Sequence, residues 1–522
     1  MNAPLETNRP PRRIVIVGGG ISGLAAAHAL AQHARATHDH ALEVILVEAS
    51  ARLGGTIRTS TREGFLLEGG PDAFISEKPE ALELARQLGL ESRLLETNAG
   101  HRRSFIVRGG RLRPVPEGFH LLAPSRFRPF VTTDIFSWRG KARMALDLLL
   151  PRRAAARTDG GDDDDESLAA FVRRRFGREA LERMAQPMVG GIYTADPEQL
   201  SLRATMPRFL DMERAERSII LAMWRARRRA ATDTRGTSGA RYSLFLSFDG
   251  GMQTLTDALA AALPPAITVR LNTTVKAIEF DRDTRRWNLR IGASETNDGA
   301  RATGDARAGG DTSGAPTGGE IGGATTGGET IAADGLCLAL PAYASARLLE
   351  GVDAELAAEL GDIPYASTAT VNLAFRRADI PHPLDGFGFV VPFIERRHTL
   401  ACTFSSVKFA GRAPDGHTLM RAFVGGALQP EMYALDDERM IAVVREDLRA
   451  LVGIERAPLF AHVERWPRSM AQYHLGHLSR VARIRRRLQN FPSLQLAGNA
   501  YGGAGIPDCI RSGHTAAKEM LK

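Results

Sequence analysis

The hydrophobic pattern near the N-terminus changes from strand-like to helical over a short stretch. Positions 13–17 form a continuous β-branched run, a glycine-rich turn follows, and 21–34 is rich in alanine and helical in character. A second apolar run at 42–47 begins about 30 residues after the first, which is the length of a βαβ crossover. The chain is therefore predicted to open with two parallel strands joined by a helix.

Three later apolar runs predict further strands of the same sheet. They occupy 267–271, 335–340 and 493–497, far along the chain from the first two strands. Runs of this length bounded by turn residues are typical of buried strands. We therefore expect a first domain that is assembled from discontinuous segments.

A stretch of unusual composition lies between the strand-like segments 287–291 and 331–340. Residues 294–330 are dominated by Gly, Thr, Ala and Asp, and Ile321 is their only large apolar side chain. Such a segment cannot bury enough surface to offset the entropy of ordering it. We predict a disordered insert at the tip of a hairpin.

Two helical segments carry informative charge patterns. Acidic and basic side chains are interspersed over 211–217, which predicts a solvated helical face. Residues 126–150 combine basic positions with Phe127, Phe130, Phe136, Trp138 and a leucine-rich run. Such a segment is amphipathic enough to lie on an anionic membrane surface.

Composition excludes several classes of protein. The 522 residues are 43% hydrophobic and 25% charged, which is typical of soluble globular chains with two to four domains. No apolar run approaches the length of a transmembrane helix. The net charge of +8 is mostly arginine, which suits anionic partners without indicating nucleic acid, and we expect none.

The cysteines and the N-terminus predict a reducing compartment. Cys337, Cys402 and Cys509 are odd in number and widely separated, so they form no disulfide framework or C-x-x-C metal motif. The first 13 residues have no apolar core of a secretory signal. We therefore expect a cytoplasmic protein.

The first glycine turn matches a dinucleotide-binding pattern. Gly18, Gly20 and Gly23 fit G-x-G-x-x-G, in which the glycines allow the tight turn, the approach of a pyrophosphate and close packing of helix on strand. The helix N-terminus offers unpaired N–H groups to the phosphates. Glu48 follows the second strand, where a carboxylate accepts hydrogen bonds from ribose hydroxyls.

Two further glycine segments favour a flavin over a nicotinamide. Arg52 precedes the pair Gly54 and Gly55, and Gly70 opens a Gly-Pro-Asp turn. These segments resemble those of the flavoprotein superfamily that includes amine oxidases, phytoene desaturases and protoporphyrinogen oxidases. The resemblance implies FAD. It also implies that the strand, glycine turn and helix at 494–520 direct a helix N-terminus at the flavin, where positive potential favours the reduced anion.

The rest of the chain is similar to the protoporphyrinogen oxidase family from 13 to 522. The similar strings occupy 190–197, 248–255, 386–389, 409–414, 473–477 and 496–513. The resemblance implies FAD-dependent oxidation of protoporphyrinogen IX to protoporphyrin IX, with dioxygen as acceptor and H2O2 as product. Three alternatives stay open: a coproporphyrinogen III oxidase, an amine oxidase or carotenoid desaturase, and a flavin-bound porphyrin carrier without turnover.

The resemblance also assigns residues to the cofactor and to the substrate. The implied cofactor contacts are Gly18, Gly19, Gly20, Ile21, Ser22, Gly23, Glu48, Ala49, Arg52, Gly54, Gly55, Thr56, Gly70, Pro71, Asp72, Ala73, Val275, Trp466, Gly498, Ala504, Gly505 and Ile506. The implied substrate contacts are Phe387, Gly388, Val390, Thr403, Phe423 and Arg103.

The chain departs from the family at the propionate anchor. Ser104 stands where the family has an arginine, so Arg103 is the nearest substitute. His474 and His477 have no third ligand nearby in sequence, and we predict no metal site. No side chain is nominated as catalytic, because the cofactor carries the chemistry.

These inferences define the expected fold class, which is α/β and α+β. A Rossmann-like FAD-binding domain is assembled from 10–96, 241–345 and 490–522, a helical membrane-facing domain covers 97–200, and a sheet-based substrate domain covers 201–240 and 346–489. We also expect a homodimer, hand-over of product to a ferrochelatase and peripheral contact with the inner membrane.

Overall fold

The computed structural model describes residues 11–120, 122–153, 165–233, 244–294 and 329–522. Its strands are β1 (Arg12–Val17), β2 (Leu42–Val47), β3 (Thr59–Arg62), β4 (Phe65–Glu68), β5 (Phe74–Ile75), β6 (Leu94–Glu96), β7 (Phe105–Arg108), β8 (Arg111–Pro114), β9 (Phe119–His120), β10 (Ala123–Pro124), β11 (Phe245–Phe248), β12 (Ile267–Arg270), β13 (Thr273–Asp281), β14 (Arg286–Ala293), β15 (Glu329–Ala333), β16 (Gly335–Leu338), β17 (Tyr365–Arg376), β18 (Gly388–Val390), β19 (Ala401–Phe404), β20 (His417–Gly425), β21 (Phe460–Ala471) and β22 (Leu494–Leu496).

The helices are distributed over the whole chain. They are α1 (Ile21–Thr37), α2 (Glu80–Gln87), α3 (Phe127–Thr132), α4 (Trp138–Ala145), α5 (Leu168–Arg175), α6 (Arg178–Ala180), α7 (Gln186–Tyr193), α8 (Leu202–Thr205), α9 (Pro207–Glu216), α10 (Ile219–Asp233), α11 (Gln253–Ala261), α12 (Ala342–Leu349), α13 (Ala354–Gly361), α14 (Ser405–Lys408), α15 (Pro430–Tyr433), α16 (Asp437–Val452), α17 (His477–Leu488) and α18 (Ile506–Met520). Leu181–Ala185 forms a π-helical turn between α6 and α7.

The predicted parallel sheet forms with strands from distant parts of the chain. Its order is β12-β2-β1-β16-β22, and all four strand pairs are parallel. Ile14 and Ile16 of β1 are fully buried, as expected for a parallel strand covered on both faces. The five apolar runs predicted as strands all join this sheet, which confirms the expected α/β fold class.

Helix α18 closes one side of this sheet by packing against α1. A Cβ on Gly513 would lie 2.2 Å from the backbone oxygen of Ser22. The glycine is therefore required for the two helices to approach so closely. This contact attaches the C-terminal segment of the chain to the first glycine turn.

A seven-stranded sheet forms the second large layer, in the order β21-β17-β20-β19-β18-β7-β8. Strand β18 pairs with β7 in parallel and with β19 in antiparallel. Strands β7 and β8 fall within the range 97–200 that we predicted to be helical, yet they extend this sheet. Their short apolar run is buried, with Ile106 and Val107 at 0% and 1% exposure, because β18 covers its edge and the helices cover its face.

The helical layer contains a buried ion network. Arg175 donates to Asp147 at 2.6 Å, and Arg174 donates to Glu213, whose side chain is 5% exposed. The prediction of a solvated face over 211–217 is therefore wrong at Glu213. The charge pattern alone could not reveal that arginines of α5 would cover this carboxylate.

A three-stranded sheet carries the predicted hairpin. Strands β14 and β15 are antiparallel neighbours, so the low-complexity insert connects their ends as expected. Residues 295–328 of that insert lie outside the described residues. Among the residues that are described, no helix combines the length and apolar content of a membrane span.

Candidate dinucleotide and substrate cleft

The first glycine turn is fixed by hydrogen bonds to the end of β2. Gly18 N donates to Val47 O at 2.8 Å, and Gly19 N donates to the Glu48 carboxylate at 2.6 Å. Ser50 N donates to the other carboxylate oxygen at 2.8 Å. Glu48 is therefore held at the edge of the turn, as predicted, and Ala49 beside it is exposed.

The second glycine segment lies directly against the first. Gly54 N donates to Gly19 O at 2.8 Å, and Gly20 forms an isolated bridge with Gly54. Arg52 donates to backbone oxygens of its own loop, including Gly55 O at 2.6 Å. Arg52 therefore holds this loop in its conformation.

A third contact adds the Gly-Pro-Asp turn to this group. A Cβ on Gly70 would lie 1.8 Å from Thr56 O, so only glycine allows this approach. Trp466 Nε1 donates to Gly69 O at 2.8 Å, and the Thr370 hydroxyl donates to the same oxygen at 3.0 Å. The turn is thus joined to the seven-stranded sheet, with Pro71 and Ala73 half-buried beside it.

Asp72 forms an ion pair behind this turn. Lys408 Nζ lies 2.9 Å from its carboxylate, and both side chains are largely buried. Burial by itself would raise the pKa of Asp72, but Lys408 and Arg421 outweigh it and bring that pKa below its usual value. Asp72 is therefore held as an anion by its neighbours, and its assignment to the cofactor stays a prediction.

The C-terminal glycine segment is oriented by a buried tyrosine. The Tyr473 hydroxyl donates to Asn499 O at 2.5 Å and accepts from Gly503 N at 2.9 Å. Gly498 N donates to the Ser512 hydroxyl at 3.1 Å. Gly505 caps α18 without a side-chain hydrogen bond, so no cap side chain takes the N–H of Ile506, which follows Ala504 and Gly505, while Pro507 has no N–H.

Val275 lies in the three-stranded sheet, near the end of β2. It belongs to β13 and is 8% exposed, and Thr273 N of the same strand donates to Glu48 O at 3.0 Å. Backbone hydrogen bonds thus connect the first glycine turn, the Gly54 segment and the strand of Val275, while Trp466 contacts Gly69 through its side chain.

The arrangement fits a bound dinucleotide. A Cβ on Gly20 would meet nothing nearer than the Cα of Gly55 at 4.0 Å, so no protein neighbour requires glycine there. The N-cap of α1 is Gly20, which caps the helix without a side-chain hydrogen bond and leaves the Ile21 and Ser22 end of the helix available to an anion. Gly23, by contrast, is required by the protein itself, since its Cβ would lie 1.9 Å from Gly18 O.

Four of the implied substrate residues, Gly388, Val390, Thr403 and Phe423, share one face of the seven-stranded sheet, whereas Phe387 and Arg103 lie just outside its strands. Gly388 pairs with Thr403, Val390 pairs with Ala401, and Ala401 pairs with Phe423. Because side chains alternate along a strand, these positions point to the same side. A Cβ on Gly191 of α7 would lie 3.7 Å from Val390, so this face is directed at the helical layer.

Arg103 stands at the edge of this region but is already paired. Its guanidinium lies 3.1 Å from Asp385, and its side chain is 54% exposed. Its backbone oxygen accepts from Phe387 N at 2.8 Å. The structure thus brings Arg103 close to Phe387 along the backbone, while its charge is directed to an aspartate.

Sequence reasoning missed several polar residues on the same sheet face. Thr370 and Asn372 of β17 donate to the backbone of the glycine turn, and Arg421 of β20 donates to Gly70 O. Their sequence signal is alternation, since Arg421 is the one charged residue among apolar neighbours in β20.

The histidines near the C-terminal segment do not form a metal site. His477 is buried and stacks on Tyr473 with ring centroids 4.2 Å apart. Burial lowers the pKa of His477 to about 4. Within the described part of the chain, no group of three or more histidine, cysteine or acidic side chains could hold a metal ion.

Comparison with known proteins identifies the family. Residues 21–306 and 315–521 match the family model described as flavin containing amine oxidoreductase. The chain is 34% identical to a coproporphyrinogen III oxidase of Bacillus subtilis (strain 168), with 98% of each chain covered. It is 26% identical to a protoporphyrinogen oxidase 2, chloroplastic/mitochondrial, of Arabidopsis thaliana, covering 98% of this chain and 94% of the relative.

A solved structure extends the comparison to three dimensions. The crystal structure of a candidate protoporphyrinogen oxidase from Exiguobacterium sp. 255-15 matches with a TM-score of 0.78 and 29% identity, covering 98% of this chain and 99% of that one. These findings confirm FAD as the expected cofactor and the resemblance that the glycine motifs suggested. The chain therefore belongs to the flavin-containing amine oxidoreductase family.

Proposed function

We propose that the protein oxidises a porphyrinogen to the corresponding porphyrin, using FAD and dioxygen. One observation carries the proposal. The sheet face with Gly388, Thr403 and Phe423 belongs to the same sheet as Trp466, whose side chain binds the glycine turn at Gly70. Relatives named for porphyrinogen oxidation match the chain over nearly its whole length. The proposed process removes six electrons from each macrocycle and reduces three dioxygen molecules to H2O2.

Each part of the cleft has a proposed role. FAD supplies hydride acceptance when it is bound. The glycine turns at Gly18–Gly23 and Gly54–Gly55 hold the phosphates and the ribose side of the cofactor, and Glu48 takes ribose hydroxyls. The sheet face with Val390, Thr403 and Phe423, with Phe387 at its edge, positions the flat macrocycle, and surrounding apolar groups exclude water.

Two substrates are candidates. The resemblance of the similar strings favours protoporphyrinogen IX. Coproporphyrinogen III is supported by the relative of that activity, which is 34% identical over 511 residues. The two substrates differ in carboxylate number, four in coproporphyrinogen III against two in protoporphyrinogen IX, so the cationic groups at the cleft decide between them.

The test is anaerobic mixing of the yellow holoenzyme with each porphyrinogen in turn. We expect loss of the oxidised flavin absorbance, followed by porphyrin fluorescence when air is admitted, and a larger kcat/KM for the preferred substrate. Absence of bleaching with both substrates would contradict the proposal. Bleaching with a primary amine instead would indicate an amine oxidase. Tight porphyrin binding without oxygen consumption would indicate a porphyrin carrier.

The proposal includes an association with a membrane surface. Phe127, Trp138 and Leu149 are 81%, 70% and 73% exposed, and the cations Arg128 and Arg139 are exposed beside the two aromatic residues. Apolar side chains among cations are typical of segments that bind anionic lipid surfaces. We place the protein in the cytoplasm, with this segment against the inner membrane.

Further parts of the proposal concern assembly and domain division. We propose a homodimer and transfer of the product to a ferrochelatase. We also propose a flavin domain from 10–96, 241–345 and 490–522, a helical domain within 97–200 and a substrate domain from 201–240 and 346–489. By their strand pairing, β7 and β8 go with the substrate domain.

A further inference from the structure

Arg421 is a buried cation with unused hydrogen-bonding capacity. The residue is 3% exposed, and its Nη2 donates to Gly70 O. Its Nε and Nη1 have no hydrogen-bond partner within the described part of the chain. A buried donor without an acceptor is costly, so native proteins seldom retain one without a reason.

Arg412 in the same cluster shows what a satisfied buried arginine looks like. It is 2% exposed and donates to Ser247 Oγ at 2.9 Å, to Phe248 O at 2.8 Å and to Asp249 O at 3.2 Å. The oxygens around Arg412 bind its guanidinium from several directions. Arg421 instead lies over the Phe423 ring, 4.7 Å from its centroid. The ring face attracts the cation but accepts no conventional hydrogen bond from it.

The charges around Arg421 leave an excess of positive charge. The carboxylates that act on its guanidinium are Asp72 and Glu68, and the same two act on Arg412 together with Asp249. Lys408 already forms an ion pair with Asp72, and Arg93 forms one with Asp249. Four cations therefore share three carboxylates. Burial also raises the pKa of Glu68, against the opposing effect of Arg412 and Arg421.

The position of Arg421 relates this excess to the substrate face. Arg421 pairs with Thr403 across β19 and β20, and Phe423 is two residues further along the same strand. Arg421, Thr403 and Phe423 therefore lie on one side of the sheet. The guanidinium lies where this face meets the Gly70 turn.

We propose that Arg421 binds a carboxylate of the porphyrinogen through one edge of its guanidinium, formed by a free Nε or Nη1 group and the remaining N–H of Nη2. The proposal rests on the function proposed above. A guanidinium edge with two N–H groups matches the two oxygens of a carboxylate, and an added anion would reduce the excess of positive charge. Arg421 would then supply a substrate anchor in a chain that has Ser104 at the family's arginine position and whose Arg103 is paired with Asp385.

The test compares porphyrin binding by the holoenzyme with and without this group. Coproporphyrin III and its tetramethyl ester are titrated in the same detergent by fluorescence, using the wild type, Arg421→Gln and Arg412→Gln. We expect Arg421→Gln to weaken binding of the free acid about 10- to 100-fold and to leave the ester unchanged. Arg412→Gln also removes one buried cation, but it should keep the preference for the acid because its donors serve the backbone.

Arg421→Lys provides a second variant if the glutamine variant fails to fold. It keeps the charge and loses the planar fork, so its preference for the acid should fall between those of the wild type and the glutamine variant. An unchanged ratio of acid to ester affinity in both variants would overturn the proposal. An unchanged ratio with an altered flavin spectrum would overturn it in favour of contact with the cofactor.

The proposed function fails independently of this test. If the wild type oxidises neither porphyrinogen, the oxidase function is wrong whatever Arg421 does to porphyrin binding. If the wild type oxidises a porphyrinogen and Arg421→Gln keeps the KM and the acid preference of the wild type, only the role of Arg421 is wrong.

Discussion

The indole N–H of Trp466 donates to the backbone oxygen of Gly69 at 2.8 Å, and this bond joins the seven-stranded sheet to the residue that follows β4. Trp466 belongs to β21, and Gly69 precedes the Gly-Pro-Asp turn. One hydrogen bond therefore sets the distance between the strand layer that would carry substrate and the turn that would lie under the flavin. Thr370 donates to the same oxygen at 3.0 Å and supports that arrangement.

Replacing Trp466 by phenylalanine should loosen the flavin. The variant keeps an aromatic ring and loses the bond to Gly69 O, at a cost of about 1 kcal/mol in unfolding free energy. We expect faster FAD release, measured by flavin fluorescence after dilution. The matched control is Trp287→Phe in β14, which loses a 3.0 Å hydrogen bond from the indole N–H to the Ser493 hydroxyl. Equal FAD release from the two variants would contradict the role given to Trp466.

Gly20→Ala should separate cofactor binding from folding. The backbone of Gly20 has φ −70°, and its Cβ would enter open space, so the stability loss should be about 1 kcal/mol or less. The added methyl group would occupy the space that the pyrophosphate needs, and the purified protein should lack most of its flavin. FAD content and the urea midpoint measure the two effects.

Gly23→Ala is the contrasting variant at the same turn. Its Cβ would lie 1.9 Å from Gly18 O, so the backbone must move and the protein should lose stability even without flavin. If the two alanine variants lost stability equally as apoproteins, the distinction drawn between Gly20 and Gly23 would be wrong.

The buried pair of Asp147 and Arg175 should be essential for stability. Both side chains are fully buried, and Ser218 Oγ also donates to Asp147 at 2.6 Å. Arg175→Met leaves the carboxylate buried without its cation, which should cost about 3–5 kcal/mol in unfolding free energy. Chemical denaturation measures the loss. Arg178→Ala is the control. The Arg178 side chain is 81% exposed, so its ion pair with Glu182 should make no measurable contribution to the unfolding free energy.

His477 should make the protein less stable as the pH falls. Burial lowers the pKa of its imidazole from 6.5 to about 4, so between these values the unfolded chain takes up a proton that the folded protein does not. The contribution of His477 to the unfolding free energy is fully present above pH 6.5. The unfolding free energy should fall by about 3 kcal/mol as the pH approaches 4. His477→Phe keeps the stack on Tyr473 and should reduce this slope. His40→Gln, at an exposed site, is the control and should keep the wild-type slope.

The exposed aromatic residues of α3 and α4 should mediate vesicle binding. Phe127→Ser combined with Trp138→Ser removes two side chains that are 81% and 70% exposed. We expect weaker flotation with anionic vesicles at low salt, because less apolar surface can enter the lipid boundary. Leu459→Ser combined with Leu475→Ser changes exposed apolar residues elsewhere and should float like the wild type. If the wild-type protein stays in the lower fraction of the flotation gradient, the proposed membrane association is wrong.

The amino-acid sequence determined the elements whose geometry is local. The runs at 13–17 and 42–47, with the glycine turn between them, specify two buried strands and a tight turn through short-range sterics and spacing. The same holds for the strand, turn and helix at the C-terminus, which the structure places at 494–520. Similarity of these motifs to a known family was therefore enough to indicate the flavin.

Only the tertiary structure decided which surfaces cover one another. Alternation in β20 puts Arg421 and Phe423 on one face, but it does not reveal that the Gly70 turn lies against that face or that two guanidinium N–H groups lack acceptors. Glu213 became buried because α5 brought arginines to it, and β7 joined a sheet because β18 had a free edge. Burial and pairing of this kind depend on contacts between residues far apart in sequence, and local pattern carries no information about their partners.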